Sequence, residues 1–411
     1  MKKRFGRWTA IALVAGASAA VLAGCASSRG SSATASSGVK TYSIAGLLDF
    51  SGPFASRGTP GADTAKLWLN YFNQTAGKKD NIKLTFKSYD SGYDPSKVSQ
   101  VYPSVVQDSS VIGILGYGSP TIIALQNRLS QNKVPMVQSG TAYNFMNKGG
   151  WVFGPLGDPG AAWATGIKWY QKNVLKSSAK ARVALVTLQG SSGQDFISGT
   201  KDALGNSENI VLQQFIPPTA TSVDSYVDQI VAAKADVVVI GTTDALQPLL
   251  LKDLKSRHFD MTKIMTAQHE SLSQMVALNV PSSTLNGIYE FNTLNYNDKQ
   301  SEAYKIFTAA APHFGSPQWN GSNQQISSGM IVLTQAVAKA AAANKGKTLT
   351  GQDVYNALNA GTFKPYGLTG TVTFHPNDRR YGTTVGFVSR FRNGAITTLA
   401  KNVPLLPLPA G

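Results

Sequence analysis

The chain has 411 residues, 42% of them apolar and 15% charged, with a formal charge of +16. It is long enough for two ordinary domains and apolar enough to bury a core, which excludes a disordered tail. Its cations are scattered, without a Lys/Arg run or an RNA-type aromatic motif, so a basic surface near anionic lipid is expected and a nucleic-acid partner is not. The single cysteine, Cys25, excludes an internal disulfide, and His258, His269, His313 and His375 lack metal-ligand spacing, so neither a metal nor a cofactor is expected.

Residues 1–25 open with Lys2, Lys3, Arg4 and Arg7, continue in an apolar run too short to span a bilayer, and end Leu22-Ala23-Gly24-Cys25. These are the proportions of an export signal. Removing its four cations from +16 leaves +12. Residues 26–40 are mostly Ser, Ala and Gly and predict a flexible tether.

From residue 42 the pattern alternates. Strands are expected at 42–50, 82–89, 111–115 and 134–138, with helices at 61–72, from Asp94-Pro95 to 106, and from Ser119 onward. A second α/β series follows: helix 162–173, strand 182–188, helix 195–204, strand 210–216, helix 222–233, strand 236–241, helix 245–257, and strands at 263–267 and 287–291. A long helix is expected from Gln324 to Asn344 and a short one at 351–360. Strands at 368–374, 386–391 and 395–400 read as antiparallel, with a turn at Asn393-Gly394. Such an order predicts two lobes, each a mostly parallel sheet flanked by helices, with ligands at the carboxyl ends of the strands.

The stretch 111–135 concentrates the functional signals. An apolar strand runs into Gly116-Tyr117-Gly118, then Ser119 at a helix N-cap with Pro120 behind it. Free N–H groups and a hydroxyl there suit a carboxylate or phosphate. The plainer reading is a serine that only caps its helix.

Several segments together resemble the type I periplasmic solute-binding proteins of ABC transporters, the leucine/isoleucine/valine-binding family. They are Ile-Ala-Gly-Leu-Leu-Asp-Phe-Ser-Gly-Pro-Phe-Ala-Ser-Arg-Gly at 44–58, the acidic turn 89–95, the Ile-Gly…Ser loop 112–121, the Val-Pro…Ser…Thr stretch 134–141, and Tyr-Gly-Leu-Thr-Gly-Thr-Val-Thr-Phe at 366–374. Leu-Ala-Gly-Cys likewise resembles the bacterial lipobox, which implies acylation of Cys25 and a lipid-anchored, extracytoplasmic protein. The resemblance implies three crossings between lobes, near 153–159, 286–291 and 363–368. Lobe one would then hold 41–158 with 288–364, and lobe two 159–287 with 365–405.

It also implies a site. Ser119, Ser139, Gly140 and Thr141 match positions that meet a ligand carboxylate, where charge-assisted bonds are strong. In lobe two, Ser192 and Thr243 stand where relatives carry aromatics, and Glu270 falls near the acid that meets a ligand ammonium. Arg57 replaces an aromatic and, if inward, favours a ligand with an extra acidic or acceptor group. Losing those aromatics argues against a greasy pocket. The implied partners are a small ligand, amino acid-like or a small carboxylate or amide, and ABC permease subunits, with the protein itself a monomer and no enzyme. A ligand-sensing receptor domain of the same fold stays open as an alternative. So does a hydrolase, although Gly-x-Ser-x-Gly, Walker, His-Glu-x-x-His and dinucleotide motifs are absent.

Overall fold

Runs rich in Val, Ile and Leu form strands buried on both faces, and the amphipathic segments between them form crossover helices. A computed structural model describes residues 38–139, 143–146, 148–267 and 270–409. The expected export segment with Cys25, most of the tether, Gly140 and Thr141 lie outside the described residues.

The first sheet contains Lys40–Leu48, Ile82–Asp90, Val111–Gly116, Met136–Gln138 and Val152–Phe153, all parallel. Numbered in chain order they lie 2-1-3-4-5. The second sheet repeats this order with Arg182–Leu188, Asn209–Ile216, Val237–Gly241, Ile264–Ala267 and Tyr289–Asn292. It then adds Val385–Arg392 and Ala395–Pro404 as antiparallel strands. Helices Gly58–Gln74 and Gly321–Asn344 pack together against the first sheet, burying Trp68, Met330 and Leu333. The two-lobed α/β class expected from the sequence is the observed one.

Two crossings fall later than expected. Tyr289–Asn292 is fully buried between Ile264–Ala267 and Val385–Arg392 in the second sheet, so the return to the first lobe follows Asn292 rather than 286–291. The expected strand 368–374 shrinks to Val372–Thr373, which pairs with Thr362–Phe363. Its residues Leu368, Val372 and Phe374 join the first lobe's core, so the last crossing follows Phe374 and not 363–368. Helix Glu302–Ala310, capped by Ser301, had no counterpart in the sequence reading. The long helix starts at Gly321 rather than Gln324 because Asn320 caps it, accepting from the Asn323 N–H.

In both sheets the strand order reverses between the first and third strands. The crevice at such a switch point is where loops diverge and leave room for a ligand. The four loops concerned follow Leu48, Gly116, Leu188 and Gly241. The first is held tightly. Buried Asp49 accepts from the Ser91 hydroxyl and the Tyr93 N–H, and Asp90 accepts from the N–H groups of Phe50, Ser51 and Gly92. At Gly58 a Cβ would lie 2.4 Å from the Asp49 carbonyl oxygen. Only glycine lets the helix start this close to the strand end, which turns Arg57 inward. Gly58→Ala is therefore expected to lower stability by about 1–3 kcal/mol. Gly150→Ala, where no atom lies within 4 Å, should change little. Urea unfolding midpoints check this, and equal midpoints for the two variants would contradict it.

Candidate functional site

The loops from the four strand ends enclose a cavity of about 30 Å³ between the lobes. Phe54, Arg57, Tyr93, Tyr117 and Ser119 form its first-lobe wall, and Thr187, Leu188, Ser192, Phe196, Thr242 and Glu270 its second-lobe wall.

Arg57 ends the short 3-10 turn Gly52–Arg57 and is only 6% exposed. A guanidinium cannot shed its charge, so burial obliges it to find anions. They come from the other lobe. Asp244 receives two parallel bonds, Nε to Oδ2 at 2.9 Å and Nη2 to Oδ1 at 2.6 Å, and Nη2 also reaches Glu270 Oε1 at 3.0 Å. Nη1 donates to the Tyr117 hydroxyl at 2.8 Å, and the guanidinium carbon lies 4.7 Å from the centre of the Phe54 ring. Asp244 is anchored further by the Ser56 hydroxyl at 3.1 Å and Gln274 Nε2 at 3.2 Å. Burial opposes its ionisation, but Arg57 and these donors outweigh that and hold its carboxyl below the usual range. Glu270, 2% exposed, goes the other way: burial pushes it up to about 8 despite Arg57.

A second bridge is made of hydroxyls. Tyr93 and Ser192 are 2.8 Å apart, and Ser192 donates to Ser119 Oγ at 2.8 Å. A third joins Asn144 to Asp195. Phe54 reaches past its own lobe into the second lobe's core cluster, with Tyr93 packed edge-on at 4.7 Å.

Of the residues expected at the site, the fold brings Arg57, Ser119, Ser192 and Glu270 together around one cavity, two on each wall. Ser119 does not cap its helix. Gly118, at φ +76, takes that position, and the serine hydroxyl points across the cleft instead. Its loop is rigid because Thr121 Oγ1 and Gln138 Nε2 both donate to the Gly118 carbonyl, each at 2.7 Å. Ser139 is not part of the wall. It is buried against the long helix, where a Cβ on Gly329 would come within 3.1 Å of its hydroxyl. Thr243 also turns away, accepting from the Leu246 N–H at 3.1 Å at a helix start, while its neighbour Thr242 lines the cavity and Asp244 pairs with Arg57. Sequence reasoning missed Tyr93, Tyr117, Phe196 and Asp244. Four aromatics, Phe54 and these first three, line the cavity, so it is greasier than the loss of the lobe-two aromatics implied. The tyrosines stood beside glycines, in Gly92-Tyr93 and Gly116-Tyr117-Gly118, a signal of loops shaped to present a side chain.

A periplasmic binding protein profile matches residues 41–395, and the chain belongs to that family, in its type I, leucine/isoleucine/valine-binding kind. Among solved structures it is similar to a branched-chain amino acid ABC transporter protein from Thermus thermophilus with bound valine. The identity is 14%, the TM-score 0.77, and the match covers 90% of this chain and 97% of that one. It is also similar to a fatty acid ABC transporter substrate-binding protein from Thermomonospora curvata (19% identity, TM-score 0.75, 89% and 95% covered). An ABC transporter substrate-binding protein from Aeropyrum pernix matches at 19% identity and TM-score 0.77, covering 90% and 97%. At these identities the likeness is one of fold. No curated protein matches the sequence. The family is one of extracytoplasmic proteins that bind small molecules for transport.

The raised carboxyls set a pH dependence. Between about 4.5 and about 8 the folded protein keeps a proton on Glu270 that the unfolded chain has lost. Burial pushes Glu290 and Asp158 up to about 7, with the same sign. The folded state then binds more protons than the unfolded one, so stability falls as pH rises through this window. The urea midpoint is expected to decline from pH 5 to pH 8, and less steeply in Glu270→Gln. A midpoint that rises over that range would contradict the assignment.

Proposed function

We propose that the protein is the solute-capturing lipoprotein of an ABC importer. It holds a small ligand bearing a carboxylate or related acceptor group between its lobes and delivers it to permease subunits. One observation carries this reading: the cavity is walled by loops at the switch points of both sheets, so a bound ligand touches both lobes and favours their closure. Ser119 and Ser192 exchange their mutual bond for bonds to the ligand. Valine and fatty acids, named with two of the similar structures, differ in size and charge but share a carboxylate. The wall hydroxyls with described bonds pair with one another or with Arg57, not with a base, which favours binding over catalysis.

Acylation at Cys25 fixes the protein to the outer face of the cell membrane as a monomer, and residues 26–40 give it reach toward the permease. A thermal-shift screen of amino acids, amides and small organic acids is expected to yield a stabilising ligand. At a hundred times its Kd, such a ligand raises stability by about 2.7 kcal/mol. Ser119→Ala and Ser192→Ala should bind it roughly ten- to a hundredfold more weakly. Cys25→Ala should leave the membrane fraction or stay as unprocessed precursor. Normal membrane retention of Cys25→Ala would refute the anchor, and unchanged affinity in both serine variants would refute the site.

A further inference from the structure

The second-lobe wall contains two buried hydroxyls without a hydrogen-bond partner among the described residues. Thr187 is the penultimate residue of strand Arg182–Leu188, and Thr242 directly follows strand Val237–Gly241. They are 1% and 2% exposed, both line the cavity, and neither Oγ1 has a hydrogen-bond partner among the described residues. The two strands are neighbours, with Thr187 in register with Gly241, the residue before Thr242. The two residues therefore sit at the ends of adjacent strands, whose backbones run about 4.8 Å apart, and both line the one cavity. A buried hydroxyl left without a bond is unfavourable and calls for an explanation.

The charged groups of the wall are in the opposite condition. Asp244 takes four donors on its two oxygens: Arg57 Nε and Ser56 Oγ on Oδ2, Arg57 Nη2 and Gln274 Nε2 on Oδ1. Glu270 faces Arg57, and its raised pKa keeps it largely protonated near neutrality. A ligand ammonium would be buried beside the Arg57 guanidinium, with the strongest anion of the wall already saturated. An acceptor group meets two hydroxyls able to donate, and an apolar body meets Phe54, Tyr93, Phe196 and Leu188.

We propose that Thr187 and Thr242 are ligand contacts that set specificity. They donate to the oxygen of a small carboxylic acid or amide that has an aromatic or branched apolar body and no ammonium group. This rests on the capture reading above and narrows it. Thr187 and Thr242 bind the acceptor group from the second lobe while Ser119 binds it from the first. Arg57 is the cleft's own cation.

The test is calorimetry with six probes on two skeletons: phenylalanine, 3-phenylpropanoate and 3-phenylpropanamide; valine, 3-methylbutanoate and 3-methylbutanamide. Wild type is expected to bind the acid or amide of at least one skeleton about tenfold or more tighter than its amino acid. Thr187→Val and Thr242→Val, which keep the shape and remove the hydroxyl, should each lose about tenfold in that affinity. Without probe their melting temperatures should hold level or rise, since an unbonded hydroxyl has been removed. Tighter binding of the amino acid overturns this inference and leaves the capture reading standing. Wild-type affinity in both valine variants, or a melting temperature several degrees lower in each, overturns it as well, because the hydroxyls are then either idle or bonded within the protein. No binding by any probe overturns the inference and counts against the capture reading too.

Discussion

A guanidinium buried between two lobes, with its anions all on the far side, ties the arrangement of this molecule to one charge. Arg57 belongs to the first lobe, and Asp244 and Glu270 to the second. Taking a charge out of water is costly, and the cost is offset only where geometry is good and the remaining donors are bonded. Asp244 meets that condition with its two parallel bonds, and Tyr117 occupies the other arm of the guanidinium. Glu270 does not need to be an anion for Arg57 to be neutralised, which is why burial can win and raise its pKa. The cluster thus contains one firm ion pair and one proton-holding carboxyl. The interaction joins loops of the two lobes across the cleft and lies outside the sheets' own apolar packing.

The rest of the site serves that charge. Asp49 and Asp90 gather the N–H groups of two loops and so fix where the turn Gly52–Arg57 can go. Phe54 covers one face of the guanidinium and plugs the second lobe's core. On the opposite wall the repeated 2-1-3-4-5 order places matching loops at matching heights, so that loops after the first and third strands of both sheets meet. A cavity made this way is enclosed only when the lobes are together.

Much of this was legible in the chain, and the failures have physical causes. Period and turn residues are local properties, and they marked the alternating elements that build both sheets. Ser119 was marked by its own glycine-flanked loop, whereas Arg57, Ser192 and Glu270 were reached only through the family resemblance. Thr243 was misjudged by one position, since the side chains just past Gly241 alternate between the cavity and the next helix, and only packing decides which faces which. Ser139 looked equivalent to Ser119 on the chain, but the long helix, distant in sequence, covers it at Gly329. The crossing after Asn292 depends on pairing with Val385–Arg392, nearly a hundred residues away, which no local pattern reports. Asp244 had no signal of its own. Its importance exists only once Arg57 has been folded against it.

The Arg57–Asp244 pair holds the lobes together. Small-angle X-ray scattering on wild type, Asp244→Ala and Glu270→Gln tests this most directly. A larger radius of gyration is expected for Asp244→Ala, because Arg57 loses its anion and regains water by opening the cleft. A wild-type radius is expected for Glu270→Gln, whose amide resembles the protonated acid. Superimposable scattering from wild type and Asp244→Ala, with both proteins folded, would contradict the pair's role.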